Sequence, residues 1–200
     1  QALEFIRQLG HALHANKMEG SNNANLELIY VISPPRSSKF EEYDFGPKDL
    51  KSLSNHVDGF SLMTYDFSNP QSPGPNAPLK WIKSTLTLLL DDHPNKLAQK
   101  VFIGLNFYGK DFVSSGGLGG GPIIGREYLS LLEKHRPKLH WENNSGEHFF
   151  LYVDDQNMEH VVFYPSLMSV SLRLQEALLW EAGISIWEIG QGLPFFFDLL

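Results

Sequence analysis

Four short apolar runs, separated by segments with helical spacing, constrain the fold more than any other feature of this chain. The runs are rich in β-branched and aromatic side chains, and they cover residues 26–33, 57–65, 100–107 and 184–189. Pro34-Pro35 ends the first run. Between the four runs, apolar residues recur every three or four positions, as in residues 1–19, 79–90 and 167–181. Strands that alternate with helices form βαβ units around a parallel sheet. The sequence therefore predicts an α/β fold, either an open doubly wound sheet or part of a barrel.

The stretch between the third and fourth runs does not continue the simple alternation of one strand and one helix. A glycine-rich segment, residues 114–121, precedes a predicted helix over residues 126–135. Two further runs with strand character, residues 149–153 and 160–164, flank a polar turn, and this spacing predicts a β-hairpin. The glycine run does not directly follow a predicted strand and has no Lys-Ser or Lys-Thr behind it, so we predict no phosphate-binding loop there.

Composition excludes several classes of partner and site. The chain has 23 acidic and 16 basic residues, and a net charge of −7 argues against nucleic acid as a partner. No run approaches the roughly 20 apolar residues of a membrane span, and the absence of Cys excludes disulfides and thiolate metal sites. His11 and His14 lie on the first predicted helix without an acidic residue at ligand spacing, so we predict neither a metal site nor a cofactor.

The triplet Asn143-Asn144-Ser145 matches the acceptor pattern for N-glycosylation. Such triplets are frequent by chance, so the two interpretations of Asn143 are a glycosylated surface loop and a plain surface turn.

Three strand ends distinguish between the two architectures. Residues 58–66 read DGFSLMTYD, residues 104–109 read GLNFYG, and residues 183–187 read GISIW. They resemble, in order, the sixth, seventh and eighth barrel strands of glycoside hydrolase family 18, which carry Met-x-Tyr-Asp, Gly-x-Pro-x-Tyr-Gly and a Trp on the barrel floor. The resemblance implies a partial (β/α)8 TIM barrel, strands five to eight, in which the chain is the C-terminal half and residues 108–163 are a small α+β insertion.

The resemblance also implies how such proteins handle sugars. Family hydrolases let the 2-acetamido oxygen of the sugar attack the anomeric carbon. They still need a Glu that protonates the leaving oxygen and an Asp beside it, both within Asp-x-x-Asp-x-Asp-x-Glu on the fourth strand. That spacing does not occur in these 200 residues, so no catalytic residue is predicted. The nearest acidic cluster, Asp154, Asp155 and Glu159, lies in the predicted hairpin turn, and we interpret it as a solvated tip.

Within the family, the motifs are most similar to the branch of chitinase domain-containing protein 1, where the acidic motif is degenerate. The resemblance therefore implies a lectin-like oligosaccharide-binding protein, secreted or lysosomal, with a role in carbohydrate recognition and innate immunity and a stabilin-type scavenger receptor as a partner. Two alternatives remain open: a working hydrolase of N-acetylglucosamine polymers, and a protein-binding scaffold with a vestigial sugar groove.

By the same resemblance, six residues are predicted to contact sugar: Tyr65, Asp66, Asn106, Tyr108, Trp187 and Glu188. The Tyr65 hydroxyl would steady an acetamido group, and Asp66 would contact the sugar. The Trp187 ring would stack under a pyranose face, with a non-proline cis peptide between Trp187 and Glu188. Asn106 replaces the usual Pro and would offer an amide.

Each of the main residues also has a structural interpretation. Tyr65 would simply pack, Asp66 would cap the following loop, Trp187 would be a core residue, and Glu188 would pair with a basic side chain.

Overall fold

The computed structural model describes residues 1–15, 26–35, 45–91, 96–115 and 119–200. Within these ranges, the α-helices are α1 (Ala2–Ala15), α2 (Pro47–Leu53), α3 (Leu79–Leu90), α4 (Gly125–His135) and α5 (Leu167–Trp180). The strands are β1 (Ile29–Ile32), β2 (Gly59–Leu62), β3 (Val101–Asn106), β4 (Gly109–Val113), β5 (Gly120–Ile123), β6 (His140–Glu142), β7 (Glu147–Val153), β8 (Glu159–Tyr164) and β9 (Gly183–Trp187).

The four predicted strands form one sheet in the order β1-β2-β3-β9, which is their order along the chain. β1 pairs in parallel with β2, and β2 pairs in parallel with β3. This arrangement confirms the predicted α/β fold with part of a TIM barrel. The observed strands are shorter than the apolar runs, and Tyr65 and Asp66 lie in the loop beyond β2. The predicted end of the first helix, residues 16–19, lies outside the described residues.

The chain divides into two compact units, and the first comprises Gln1–Met63, Thr85–Ile103 and Ala177–Ser185. A single aromatic ring explains two of its glycines. A Cβ added at Gly59 would lie 2.2 Å from the Phe102 ring, and one added at Gly183 would lie 2.3 Å from the same ring. The strands β2 and β9 therefore begin with glycine because Phe102 occupies the space of a side chain.

The two histidines predicted to be solvated belong to this unit. His14 lies 2.9 Å from the carboxylate of Asp58, a contact that local sequence spacing could not indicate. Among the residues that the structure describes, no group of three or more His, Asp or Glu side chains is placed to hold a metal ion.

Helix α1 makes a close approach at Gly10, which is buried. A Cβ at this position would lie 1.9 Å from the backbone carbonyl oxygen of His56, closer than any atoms can pack. Glycine in the middle of a helix costs about 1 kcal/mol relative to alanine. The glycine is thus explained by the contact between α1 and the turn after α2.

Replacing this glycine tests the packing, because helix propensity and sterics make opposite predictions. We expect Gly10→Ala to destabilise the protein by about 1–3 kcal/mol through overpacking, although propensity alone would stabilise it by about 1 kcal/mol. Denaturant unfolding measures the difference. Gly121→Ala is the matched control, because a Cβ there meets no atom within 4 Å. Higher stability of Gly10→Ala would show that α1 does not approach His56 closely.

The second unit comprises Thr64–Ser84, Gly104–Glu176 and Ile186–Leu200. Its antiparallel sheet has the order β5-β4-β8-β7-β6, and the pairing of β7 with β8 confirms the predicted hairpin. Strands β4, β5 and β6 were not predicted. β5 contains two glycines and a proline and β6 has only three residues, so neither has a recognisable apolar alternation.

Aromatic side chains form the core of this second unit. Tyr164 is buried and stacks on Tyr128 with ring centroids 4.2 Å apart. The C-terminal apolar segment forms a 3-10 helix, Pro194–Leu199, whose buried Phe196 packs 5.2 Å from the Phe107 ring. The segment therefore contributes Phe196 to the core of this unit. In the described part of the chain, no helix has the length and apolar character needed to cross a bilayer.

Candidate functional site

An ion pair between Arg173 of α5 and Glu147 of β7 lies at the centre of the second unit. The Arg173 Nη2 and Glu147 Oε1 atoms are 3.2 Å apart, and both residues are buried. Burial raises the pKa of Glu147 and lowers that of Arg173, while the opposite charge of the partner counteracts each change. A buried charge is tolerated only when its hydrogen bonds are satisfied. The guanidinium also donates to four backbone carbonyls, those of Ala77, Ser145, Gly146 and Ser169.

The Glu147 carboxylate fixes the loop that follows β2. The backbone N–H groups of Asn76 and Ala77 donate to its two oxygens at 3.0 and 2.7 Å. The Asn76 side chain in turn accepts the backbone N–H of Asp66 through Oδ1 at 2.9 Å. Asp66 has a φ of +61°, in the left-handed region that few residues other than glycine adopt. The buried ion pair therefore sets, through Asn76, the backbone position of Asp66.

The Asp66 carboxylate organises the polar side of a cleft. Its Oδ1 accepts a hydrogen bond from the Tyr108 hydroxyl at 2.6 Å and forms an ion pair with Lys110 Nζ at 2.7 Å. The Lys110 ammonium also lies 5.3 Å from the centre of the Tyr108 ring. Burial, and then the hydrogen bond to Asp66, raise the pKa of Tyr108, so its hydroxyl stays a donor. The second oxygen of Asp66, Oδ2, has no hydrogen bond with the described residues, and the side chain is 56% exposed.

Trp187 provides the apolar side of the same cleft. It ends β9, is 58% exposed, and is followed by a cis peptide bond to Glu188, which confirms the predicted isomer. The alternative interpretation of Trp187 as a core residue is wrong. The cleft has a volume of about 170 Å³ and is lined by Asp66, Tyr108, Lys110, Pro122, Trp187 and Gln191.

The structure places three of the six predicted sugar-contacting residues elsewhere. Tyr65 is half-buried, with its ring edge-on to Tyr108 at 6.2 Å, and burial followed by the charge of Asp66 raises its pKa. Asn106 is buried and donates its amide to the Tyr108 carbonyl at 2.8 Å. Glu188 accepts the backbone N–H of Gly190 at 3.2 Å within its own turn. Asp66, Tyr108 and Trp187 are brought together. Asp66 binds two side chains rather than capping the following loop.

Sequence reasoning missed Lys110, Pro122 and Gln191. Lys110 was missed because β4 was not predicted, although a Lys two residues after Tyr108 is a usable signal once a strand is assumed. Gln191 carries no local signal beyond its place four residues after Trp187.

Two other surfaces bear on the predictions. Asp154 and Asp155 lie in a hairpin turn, as interpreted: Asp154 accepts the backbone N–H groups of Gln156 and Met158, and Asp155 pairs with Lys134 at the surface. Glu159 is instead the first residue of β8 and accepts the Ser114 hydroxyl at 2.7 Å. Asn143 is exposed in the turn between β6 and β7.

Outside the cleft, a groove of about 370 Å³ is lined by Phe67 and Trp81, whose rings are tilted by 53° with centroids 5.2 Å apart. Trp81 therefore offers a tryptophan in a separate surface groove for comparison with Trp187.

The sequence profile of Glycosyl hydrolases family 18 matches residues 2–192, and the chain belongs to this family. It is 29% identical over 188 residues to the uncharacterized glycosylase YvbX of Bacillus subtilis, a match that covers 93% of the chain and 52% of the relative. It is 24% identical over 201 residues to the cortical fragment-lytic enzyme of the same organism, covering 96% of the chain and 43% of that enzyme. The chain thus spans about half the length of the curated relatives it matches.

Solved structures show the same fold. A chitinase from Chromobacterium violaceum superimposes with a TM-score of 0.81 at 24% identity, over 98% of the chain and 59% of that chitinase. A chitinase from Cycas revoluta in complex with (GlcNAc)3 gives a TM-score of 0.75 at 17% identity, over 98% of the chain and 60% of that protein. At these identities the likeness establishes the fold alone.

The link from Asn76 to Asp66 can be tested by stability. We expect Asn76→Ala to destabilise the protein by about 1–3 kcal/mol, because it removes a buried side chain that accepts the Asp66 N–H. Asn69→Ala is the matched control. Asn69 is exposed and accepts two backbone N–H groups within the outer part of the same loop, so we expect a loss of about 1 kcal/mol or less. Equal losses measured by thermal unfolding would contradict a special role for Asn76.

Proposed function

We propose that this member of glycosyl hydrolase family 18 binds oligosaccharides that contain N-acetylglucosamine, in the cleft between Asp66 and Trp187. The observation that carries the proposal is the exposed Trp187 ring in a cleft whose other members, apart from Pro122, have hydrogen-bonding side chains. A pyranose has an apolar C–H face that packs on an aromatic ring, and hydroxyl groups at its edge that need polar partners. The cleft offers both kinds of contact.

The choice of sugar is supported by the ligand of a protein with the same fold. The structure of the Cycas revoluta chitinase is a complex with (GlcNAc)3, and that protein shares the fold of this chain. Asp66 offers its free oxygen, Oδ2, to a sugar hydroxyl, while Tyr108 and Lys110 hold the other oxygen in place.

We further propose that the whole protein is a lectin-like binder of the chitinase domain-containing protein 1 type, with a role in carbohydrate recognition and innate immunity. The support is the binding cleft of these 200 residues, together with the resemblance to a branch in which the acidic catalytic motif is degenerate. Secretion or a lysosomal location is part of this proposal and is supported by the exposed position of Asn143, where a glycan has room. A stabilin-type scavenger receptor would be the protein partner.

Hydrolysis of N-acetylglucosamine polymers is the second candidate function. It is favoured by the names of the relatives, which include a cortical fragment-lytic enzyme and chitinases. The catalytic acid would then come from residues outside these 200, because no stretch of this chain carries the required spacing.

Calorimetric titration of the full-length protein with chito-oligosaccharides tests binding. We expect a Kd between millimolar and micromolar, about −4 to −8 kcal/mol. Trp187→Ala should weaken binding by about tenfold, roughly 1.4 kcal/mol, because the stacking surface is lost. Trp81→Ala is the matched control, since it removes a tryptophan from the separate groove, and it should leave the affinity unchanged.

Two outcomes would overturn parts of this proposal. If wild type and Trp187→Ala bind equally well, the sugar site lies elsewhere and the protein-binding scaffold becomes the better account of this cleft. If the wild type releases a labelled leaving group from chito-oligosaccharide, the second candidate is correct. Such release requires a catalytic acid, whose contribution to the rate is about 10²- to 10⁴-fold.

A further inference from the structure

We propose that Asn143 carries an N-linked glycan whose first sugar, N-acetylglucosamine, packs against Phe67 and Trp81 in the neighbouring groove. The inference rests on the secretory location that forms part of the proposed function. It differs from that function in its ligand, which is a sugar attached to this chain. It also differs in its place, which is the groove lined by Phe67 and Trp81 (the Phe67–Trp81 groove) rather than the cleft at Trp187.

The Phe67–Trp81 groove has the size and the surface of a sugar site. Its volume of about 370 Å³ falls within the range of about 300–1,000 Å³ that is typical of small-molecule sites. Phe67 is 50% exposed, and its ring centroid lies 5.2 Å from that of Trp81. Pro75 and Pro78 add further apolar surface. An apolar wall of this kind suits the C–H face of a pyranose.

Asn143 begins the one Asn-x-Ser/Thr triplet of the 200 residues and lies at the rim of this groove. It is exposed in the turn between β6 and β7, while Glu142 and Asn144 on either side of it line the groove. Because consecutive Cα atoms are about 3.8 Å apart, a sugar linked to Asn143 begins beside the groove.

The hydrogen bonds of this turn leave the Asn143 side chain available. The Glu142 carboxylate accepts the backbone N–H of Asn144 at 3.0 Å and its side-chain amide at 3.1 Å. It also accepts the backbone N–H of Ser145. None of the described residues hydrogen-bonds to the side chain of Asn143, so the amide nitrogen that would carry the sugar is not engaged.

Backbone contacts hold the turn against the helix that carries Trp81. At the start of α3, the Leu79 N–H donates to the Ser145 carbonyl at 2.8 Å. The Lys80 N–H donates to the Asn144 carbonyl at 3.4 Å. Trp81 is the next residue of the helix, so the spacing between its ring and the turn that would carry the glycan is fixed.

Covalent attachment makes a weak contact sufficient. A contact with one sugar ring would bind poorly from solution, but a short link makes it intramolecular, with a high effective concentration. The docked ring would touch α3 through Trp81 and the loop that follows Asp66 through Phe67. It should therefore oppose opening of that loop and stabilise the folded protein.

The attachment is tested by mass spectrometry of the full-length protein, produced in secretory cells that add high-mannose glycans. We expect the peptide that contains Asn143 to carry a glycan, and Asn143→Gln to lack that mass. An unmodified Asn143 in the secreted wild type would show that the proposal is wrong.

Docking is tested on protein trimmed with an endoglycosidase that leaves only the first N-acetylglucosamine. We expect its thermal midpoint of unfolding to lie about 1–3 °C above that of Asn143→Gln, as for one aromatic contact in a large domain. This gain should disappear when both forms also carry Trp81→Ala, or Phe67→Ala if the first variant does not fold. Trp187→Ala is the matched control and should keep the gain, because its ring lies in the cleft.

The outcomes separate this inference from the proposed function. A gain that persists without either groove ring would overturn docking, and so would a gain that Trp187→Ala abolishes as well. If the wild type does not bind chito-oligosaccharide but keeps a gain that depends on Trp81, the sugar cleft is wrong and the assignment of the groove stands.

Discussion

The buried ion pair of Arg173 and Glu147 is the interaction on which the second unit depends. Arg173 joins the helix α5 to the turn before β7 and to the start of α3 through carbonyl groups of all three segments. Glu147 receives two backbone N–H groups from the loop after β2 in addition to the guanidinium. Removing one partner of such a pair leaves an uncompensated charge in the core, which typically costs about 3–5 kcal/mol.

The same pair explains how a polar cleft is held at the surface. A side chain whose carboxylate is more than half exposed would ordinarily occupy several rotamers, and a surface ion pair would add little stability to any one of them. Asp66 is constrained because Asn76 fixes its backbone, while Tyr108 and Lys110 meet at one of its oxygens. The geometry of the cleft is thus set by charges buried behind it, and the exposed Trp187 ring completes it from the end of β9.

The fold and half of the predicted site were accessible from the sequence because both follow local rules. Apolar runs mark strands, and the residues just beyond the carboxyl ends of barrel strands carry function. The resemblance of three strand ends to family motifs then indicated Asp66, Tyr108 and Trp187. The sequence could not exclude Asn106 and Glu188 from the site. Only the structure shows that their side chains already form hydrogen bonds with backbone groups.

The remaining parts of the site depend on contacts that are distant in sequence. Glu147 and Arg173 are separated by 26 residues, and each has the appearance of an ordinary surface charge on a strand and a helix. Lys110 was hidden because its strand contains too few apolar residues to be recognised.

Glu147 lies outside the cleft, yet we expect it to control sugar binding because it fixes the loop that carries Asp66. The decisive measurement is the chito-oligosaccharide affinity of full-length Glu147→Gln, titrated at a temperature where near-ultraviolet circular dichroism shows it folded. In this variant the side-chain NH2 group faces one of the two backbone N–H groups that Glu147 accepts, those of Asn76 and Ala77. Two donors then face each other, the loop shifts and Asp66 moves with it. We therefore expect sugar binding to weaken by about tenfold or more. A folded Glu147→Gln variant that binds chito-oligosaccharide as tightly as wild type would contradict it.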